Sequence, residues 1–303
     1  MAERTGAARS FDFSQSYLVF KDDAFEWLRT APRNSIHAVV TDPPYGLSEY
    51  SDEELQKLEK GRGGIWRIPP TLDGCTRSPL PRFTVMSRTD HQKLREFFTR
   101  LATLLLPVLV PGGHVFIATN PLVSHLVCGP FATVGFEKRG EIVRIVHTLR
   151  GGDRPKNAHK EFPLVSVMPR SCWEPWVLLR KPCEGRVQDN LRKWKTGGLR
   201  RISDARPFRD LIESSPARGK ERKVAPHPSL KPQAFLRQIV RAALPLGEGV
   251  ILDPFMGSGS TIAACVACEV DSIGIESNSK YFLMANKAIP HLSRLVTPKH
   301  PDA

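Results

Sequence analysis

Residues 249–268 read GVILDPFMGSGSTIAACVAC. Val250-Ile251-Leu252 is a short apolar run of the kind that forms a buried strand, and the small and apolar residues from Ser260 onward continue as a helix over 260–270. Between them lies a turn with Gly257 and Gly259, whose lack of a side chain lets backbone approach a ligand closely at a helix N-terminus, where free N–H groups point outward. Ser260 or Thr261 is the expected N-cap. The pattern then repeats: SIGIE at 272–276 reads as a second strand and 279–288 as a second helix. Strand, helix and strand in this order build a parallel sheet with helices on its faces.

Two phosphate-binding patterns fail on this turn. A phosphate-cradling loop needs Gly-x4-Gly-Lys-Ser/Thr, and no lysine stands here; a dinucleotide fingerprint needs a third small residue three positions past Gly259, where the chain has Ile262. What remains is Glu276, at the end of the second strand, where a carboxylate can accept hydrogen bonds from ribose hydroxyls. A nucleoside without a pyrophosphate fits that arrangement. S-adenosylmethionine, with its adenosine, methionine tail and sulfonium, is such a cofactor. The same pattern also serves as an ordinary tight turn between strand and helix.

The alternation extends upstream. YLVF (17–20), AFEWLRTAP (24–32) and IHAVVT (36–41) read as strand, helix and strand. Residues 47–90 are polar and punctuated by Gly and Pro, with KGRGGIWRIPP at 60–70, and are expected to be an inserted functional loop. HQKLREFFTRLATLL (91–105) predicts a helix, followed by a Pro-Gly-Gly turn, the strand HVFIAT (114–119), a further helix, and the strands EIVRIV (141–146) and CWEPWVLLR (172–180). Residues 183–226 are basic and poorly periodic. A helix over 233–244 then leads into the opening stretch.

TDPPYG, residues 41–46, ends the strand at 36–41 with an acid, two prolines and a tyrosine. In a parallel sheet the loops at the carboxyl ends of strands gather at one edge, so Asp42 and Asp253 are expected to face one cleft. Prolines fix the backbone and leave neighbouring carbonyls without intrachain N–H partners. Asp42 and a carbonyl at Pro43 or beside it, stiffened by Pro44, then form a rigid acceptor pair for the two hydrogens of a planar amine. Tyr45 adds an aromatic face for stacking. Accepting both hydrogens pulls the nitrogen towards tetrahedral geometry and stabilises the positive charge it gains as it attacks a methyl group.

Composition sets the class of partner. The 303 residues are 41% hydrophobic and 25% charged, ordinary for a globular protein, but 44 Lys+Arg against 31 Asp+Glu give a net charge of +13. Such an excess points to a polyanion, nucleic acid ahead of a membrane surface. No stretch is an uninterrupted membrane span, because the most apolar one (101–119) is broken by Pro107, Pro111, Gly112 and Gly113, and the N-terminus lacks a signal-peptide core. A cytoplasmic location is expected. Of six cysteines, Cys265 and Cys268 form a lone CxxC, so no metal site is expected.

Together, TDPPYG, HPSLKPQ (227–233), DPFMGSGST (253–261) and IGIESNSKYF (273–282) resemble the S-adenosylmethionine-dependent DNA amino-methyltransferases that act on adenine N6 or cytosine N4. Catalytic motif before cofactor motif resembles their β group, with its circularly permuted order. The resemblance implies a Rossmann-like class I methyltransferase fold with a mostly parallel seven-stranded sheet. It implies a catalytic half at 11–182 carrying the inserted loop 47–90, a DNA-recognition segment at 183–226, and a cofactor half at 227–292.

Carried over, Asp42 and the Pro43 carbonyl would bind the target amine and Tyr45 would stack on a flipped base. Asp253, Phe255, Gly257, Gly259 and Ser260 would line the cofactor, with Glu276 on its ribose and Ser229 and Lys231 near its carboxylate. Asp23 would face its adenine, with Asp22 standing where the family writes glycine. An acid at position 42 tilts the comparison towards adenine N6. Lys193, Trp194, Arg200, Arg201, Arg206 and Arg209, with Arg62, Trp66 and Arg67 in the inserted loop, are the candidates for holding double-stranded DNA; their charge also suits a solvated loop. A homodimer and a cognate restriction endonuclease are further partners the resemblance suggests. The alternatives are a cytosine N4 enzyme, a methyltransferase for RNA bases or protein amides, and a nucleic-acid-binding protein with an inactive cofactor fold.

Overall fold

The computed structural model describes residues 16–44, 71–72, 75–76, 87–146, 154–155, 157–169, 171–217, 219–227 and 229–297. Its strands are β1 (Tyr17–Phe20), β2 (Ile36–Thr41), β3 (Thr71–Leu72), β4 (Cys75–Thr76), β5 (Leu109–Ala118), β6 (Glu137–Ile145), β7 (Trp173–Arg180), β8 (Leu211–Glu213), β9 (Val250–Asp253) and β10 (Asp271–Ile275). Its helices are α1 (Ala24–Thr30), α2 (Arg88–Val108), α3 (Ser124–Val134), α4 (Val187–Trp194), α5 (Lys220–Val224), α6 (Gln233–Ala243), α7 (Ser260–Ala267) and α8 (Ser279–Ser293). One sheet runs β1-β10-β9-β2-β5-β7-β6-β8, and β3 and β4 pair separately. Among the described strands of the large sheet, only β7 runs against its neighbours.

Side chains alternate across this sheet as the strand period requires. On one face Val39, Val115, Ile117, Val177 and Leu179 pack with α1, α2 and α3; on the other Ala38, Val40, Phe116, Trp176 and Leu178 pack with α6 and α7. Leu94, Phe98, Leu101 and Leu105 form the wholly buried stripe of α2, whose start is set by a Ser87–Asp90 capping box. Burying each such side chain contributes about 1.5–3 kcal/mol.

Among the described residues the sheet has eight strands where seven were expected. The extra one, β8, is a three-residue edge strand inside the basic segment, and only Ile212 of it is buried, too short an apolar signal to read as a strand. The Pro-Gly-Gly turn is not a separate loop either. It lies within the span of β5 as an irregularity, where pairing with β2 passes from Ile36↔Leu109 to Ala38↔His114. The N-cap of α7 is Gly259, not Ser260 or Thr261: its φ of +80° is left-handed, and a Cβ there would stand 2.6 Å from Ile289 Cγ1.

The irregularity in β5 anchors the segment after β7. Asn190, wholly buried on α4, donates from Nδ2 to the carbonyls of Pro111 (3.0 Å) and Thr196 (2.8 Å) and accepts from Glu184 N (2.9 Å). Asn190→Ala would take a partner from the Thr196 carbonyl and from Glu184 N, while Pro111 O keeps Thr196 Oγ1 at 2.6 Å, and is expected to cost about 1–3 kcal/mol per lost partner. Urea unfolding checks this: the midpoint should fall while cofactor affinity holds, because the site lies at the other edge of the sheet.

Candidate active site

β9 and β2 are neighbours, yet the chain leaves β9 towards β10 on one side and β2 towards β5 on the other. Such a reversal opens a crevice at the carboxyl ends of the two strands, where α/β proteins bind ligands. Here Thr41, the last residue of β2, donates its hydroxyl to Asp253 Oδ1, at the end of β9, over 2.8 Å. Phe255 N donates to the same oxygen over 3.1 Å. Burial drives the Asp253 carboxyl up to about 7; hydrogen bonds from Thr41, Thr261 and Phe255 N pull it back in part, and the Asp42 charge pushes it up again.

The turn after β9 is held by a carboxylate. Glu276 Oε2 accepts from Gly257 N (3.0 Å) and Oε1 from Asn278 N (2.7 Å), while Asn278 caps α8. A carboxylate has about four lone-pair sites, so ribose hydroxyls can share this group with the backbone. Gly257 has φ +52°, and a Cβ there would come within 3.2 Å of the His227 ring, which packs edge-on against Tyr281 with centroids 4.4 Å apart. Burial, with Lys231 and Arg222 nearby, lowers His227 to about 4, so it stands neutral over the turn. Ser260 Oγ and Gln233 Oε1 are buried side-chain atoms with no hydrogen-bond partner, and Gln233 Nε2 donates to Ser260 O over 2.9 Å.

Asp42 is met by a cation. Lys231 Nζ donates to Asp42 Oδ2 over 2.5 Å and lies 3.7 Å from Glu174 Oε1. Glu174 in turn accepts from Arg144 Nη1 (3.0 Å) and Trp176 Nε1 (2.8 Å). Burial pulls the Lys231 ammonium down, and the two carboxylates more than offset that, leaving it above the usual lysine value. Pro43 is buried and Pro44 exposed.

The structure thus brings Asp42, Lys231, Asp253, Phe255, Gly257, Gly259, Ser260 and Glu276 to one edge. Lys231 differs from its expected place: the ammonium is on Asp42, where the resemblance put it on a cofactor carboxylate. Ser229 is exposed, its N–H donating to His227 Nδ1 over 3.2 Å. Asp23 sits beyond β1 at the same edge, where its Oδ1 caps α1 by accepting from Phe25 N and Glu26 N. Sequence reasoning missed Thr41, Glu174 and His227. Glu174 carried a signal, the one acid in a strand that is apolar apart from its last residue, Arg180.

The basic candidates do not converge on that edge. Lys193 and Trp194 belong to α4, docked through Asn190 at the amino end of β5, and both bind Glu184 (2.6 and 2.7 Å). Arg200 bonds through its N–H to Ala242 O at the end of α6, and Arg201 and Arg206 lie in a local turn closed on Ser203. Arg209 is exposed just before β8. Tyr45, Arg62, Trp66 and Arg67 lie outside the described residues. Among the described residues no group of three or more His, Cys, Asp and Glu could hold a metal, and no helix is long and apolar enough to cross a membrane.

Residues 36–287 match the model of a family described as DNA methylase, specific to N6 and N4 amino-methylation. The Type II methyltransferase M2.DpnII of Streptococcus pneumoniae is 30% identical over 272 residues, covering 90% of this chain and 89% of the relative. M.HindIII of Haemophilus influenzae, also a Type II methyltransferase, is 23% identical over 88% of this chain and 93% of its own. The fold is that of the protein TTHA0409 from Thermus thermophilus, solved with S-adenosyl-L-methionine, with TM-score 0.58, 19% identity, and coverage of 92% of this chain and 95% of that one. It is also that of the cytosine-N4-specific PvuII DNA methyltransferase, with TM-score 0.58, 13% identity, and coverage of 94% and 92%.

The raised Asp253 makes stability depend on pH. Its folded value of about 7 exceeds the unfolded value of about 3.9, so its contribution is full below about pH 4 and is lost as pH rises through about 7. Asp253→Asn, which keeps an acceptor for Thr41, removes that loss. Between about pH 5 and about pH 8 the unfolding midpoint of the variant should fall less than that of the unaltered protein. Equal falls would contradict the assignment.

Proposed function

Because the chain belongs to the DNA methylase family, whose methyl donor is S-adenosylmethionine, we propose that it methylates the exocyclic amine of a flipped base in double-stranded DNA, adenine N6 in preference to cytosine N4. The observation that carries this reading is the Thr41–Asp253 hydrogen bond of 2.8 Å, which seats Asp42 beside the Gly257–Gly259 turn. The site's residues suit the cofactor: Glu276 has acceptor capacity for a ribose, Gly257 and Gly259 make a turn closed to larger residues, and Ser260 Oγ is a buried group awaiting a partner.

The cofactor supplies an electrophilic methyl group on a sulfonium. Asp42 and the Pro43 carbonyl would accept the two amine hydrogens and so turn the nitrogen lone pair towards that methyl. The carboxylate stabilises the positive nitrogen and takes its proton. Tyr45 supplies a stacking face worth about 1–3 kcal/mol, set against the few kcal/mol that unstacking the base costs. An acid at position 42 supports adenine, as does a local likeness to the DNA adenine methyltransferase YhdJ of Escherichia coli, 45% identical over 77 residues that make up 25% of this chain and 24% of that one.

Incubation with unmethylated DNA and isotope-labelled S-adenosylmethionine, followed by nucleoside mass spectrometry, tests the reading. Labelled N6-methyladenine is expected; labelled N4-methylcytosine would overturn the choice of base, and unlabelled DNA the reaction. Asp42→Ala should lose at least about a hundredfold in turnover while cofactor affinity holds. Glu276→Ala should weaken cofactor binding by about tenfold, about 1.4 kcal/mol, as read by calorimetric titration.

A further inference from the structure

β7 runs antiparallel to β5, with Ala118 opposite Trp176. That reversal carries the amino end of β7, and with it Glu174, to the same edge as Asp42. The outcome is a row of alternating charge: Asp42, Lys231, Glu174 and Arg144, with Nζ–Oδ2 2.5 Å, Nζ–Oε1 3.7 Å and Nη1–Oε2 3.0 Å. Arg144 and Lys231 are largely buried, and Arg144 is held further by Ser215 O at 3.3 Å.

The pairing of Lys231 with Asp42 opposes the reaction as it stands. The ammonium on Oδ2 sets a positive charge beside the place the target amine must take. The amine nitrogen there must itself become positive, and two like charges at such a distance repel. The cation therefore has to leave Asp42 before methyl transfer. Glu174 Oε1 is already near it, and Trp176 Nε1 and Arg144 hold that carboxylate in place.

Resting on the functional reading above, we infer that Lys231 and Glu174 form a charge switch on the catalytic carboxylate. In the free enzyme Lys231 holds Asp42 oriented. On arrival of the base, the ammonium moves onto Glu174 and the amine takes its place on Asp42. The row stays neutral throughout, so the exchange creates no isolated buried charge, which would be costly. Glu174 is a positioning residue, acting on the reaction only through Lys231.

The test uses the full chain with unmethylated DNA, and S-adenosylhomocysteine to read the cofactor site. Glu174→Gln keeps the size and an oxygen for Trp176 but removes the charge that receives Lys231. It should lower turnover at least tenfold and leave S-adenosylhomocysteine affinity unchanged. Adding Lys231→Met to Glu174→Gln should restore most of that turnover, a rescue that a purely structural role for Glu174 would not give. If Glu174→Gln does not fold, Glu174→Asp, which keeps the charge but draws it back from Lys231, decides by the same two turnover measurements, alone and with Lys231→Met. Normal turnover in Glu174→Gln, or a double variant as slow as the single one, would overturn the switch. No transfer to DNA by the unaltered protein would instead overturn the functional reading, and the switch with it.

Discussion

The site depends on one hydrogen bond between residues far apart in the chain. Thr41 ends β2 and Asp253 ends β9, and their contact ties the Asp42-Pro43-Pro44 turn to the Gly-rich turn at the point where the chain's path across the sheet reverses. Each turn is stiff by itself, one through two prolines and the other through a left-handed glycine at the head of α7. Joining two stiff turns at their roots fixes Asp42 relative to the Gly-rich turn without any further loop. The permuted order of the motifs is of no consequence to this geometry, because β2 and β9 are adjacent whichever comes first.

The edge so formed is rich in carboxylates, and the arrangement of charge explains how they coexist. Glu276 is stabilised by two backbone N–H groups, Asp42 and Glu174 share Lys231, and Asp253 sits near the pH at which it takes up a proton. A cationic sulfonium suits such a surface. His227, neutral over the Gly257 turn, adds no competing positive charge. The ordering of these groups also separates two clusters: Asp253 and Glu276 hold the Gly-rich turn, while Asp42 and Glu174 meet at Lys231.

What was legible in the sequence follows from how local the signals are. Strands such as IHAVVT and VILD declare themselves by apolar runs, and the two site turns by Gly and Pro, which act on their own backbone. β8 escaped because its edge position buries only Ile212. The basic segment did not declare its place because charge says nothing of direction: α4 is drawn to the amino edge by one buried amide, Asn190, whose partners Pro111 and Thr196 no periodicity reveals. The Lys231 pairing was hidden for a similar reason, since it needs the antiparallel turn of β7 to bring Glu174 to the catalytic edge.

Hydrogen exchange with and without S-adenosylhomocysteine, and then with added DNA, tests most directly the claim that one edge holds both reactants. Amides at 255–259 and 276–278 should be protected by the nucleoside, and those after Thr41 only when DNA is also present. Protection centred on 183–200, at the opposite edge, would contradict the account.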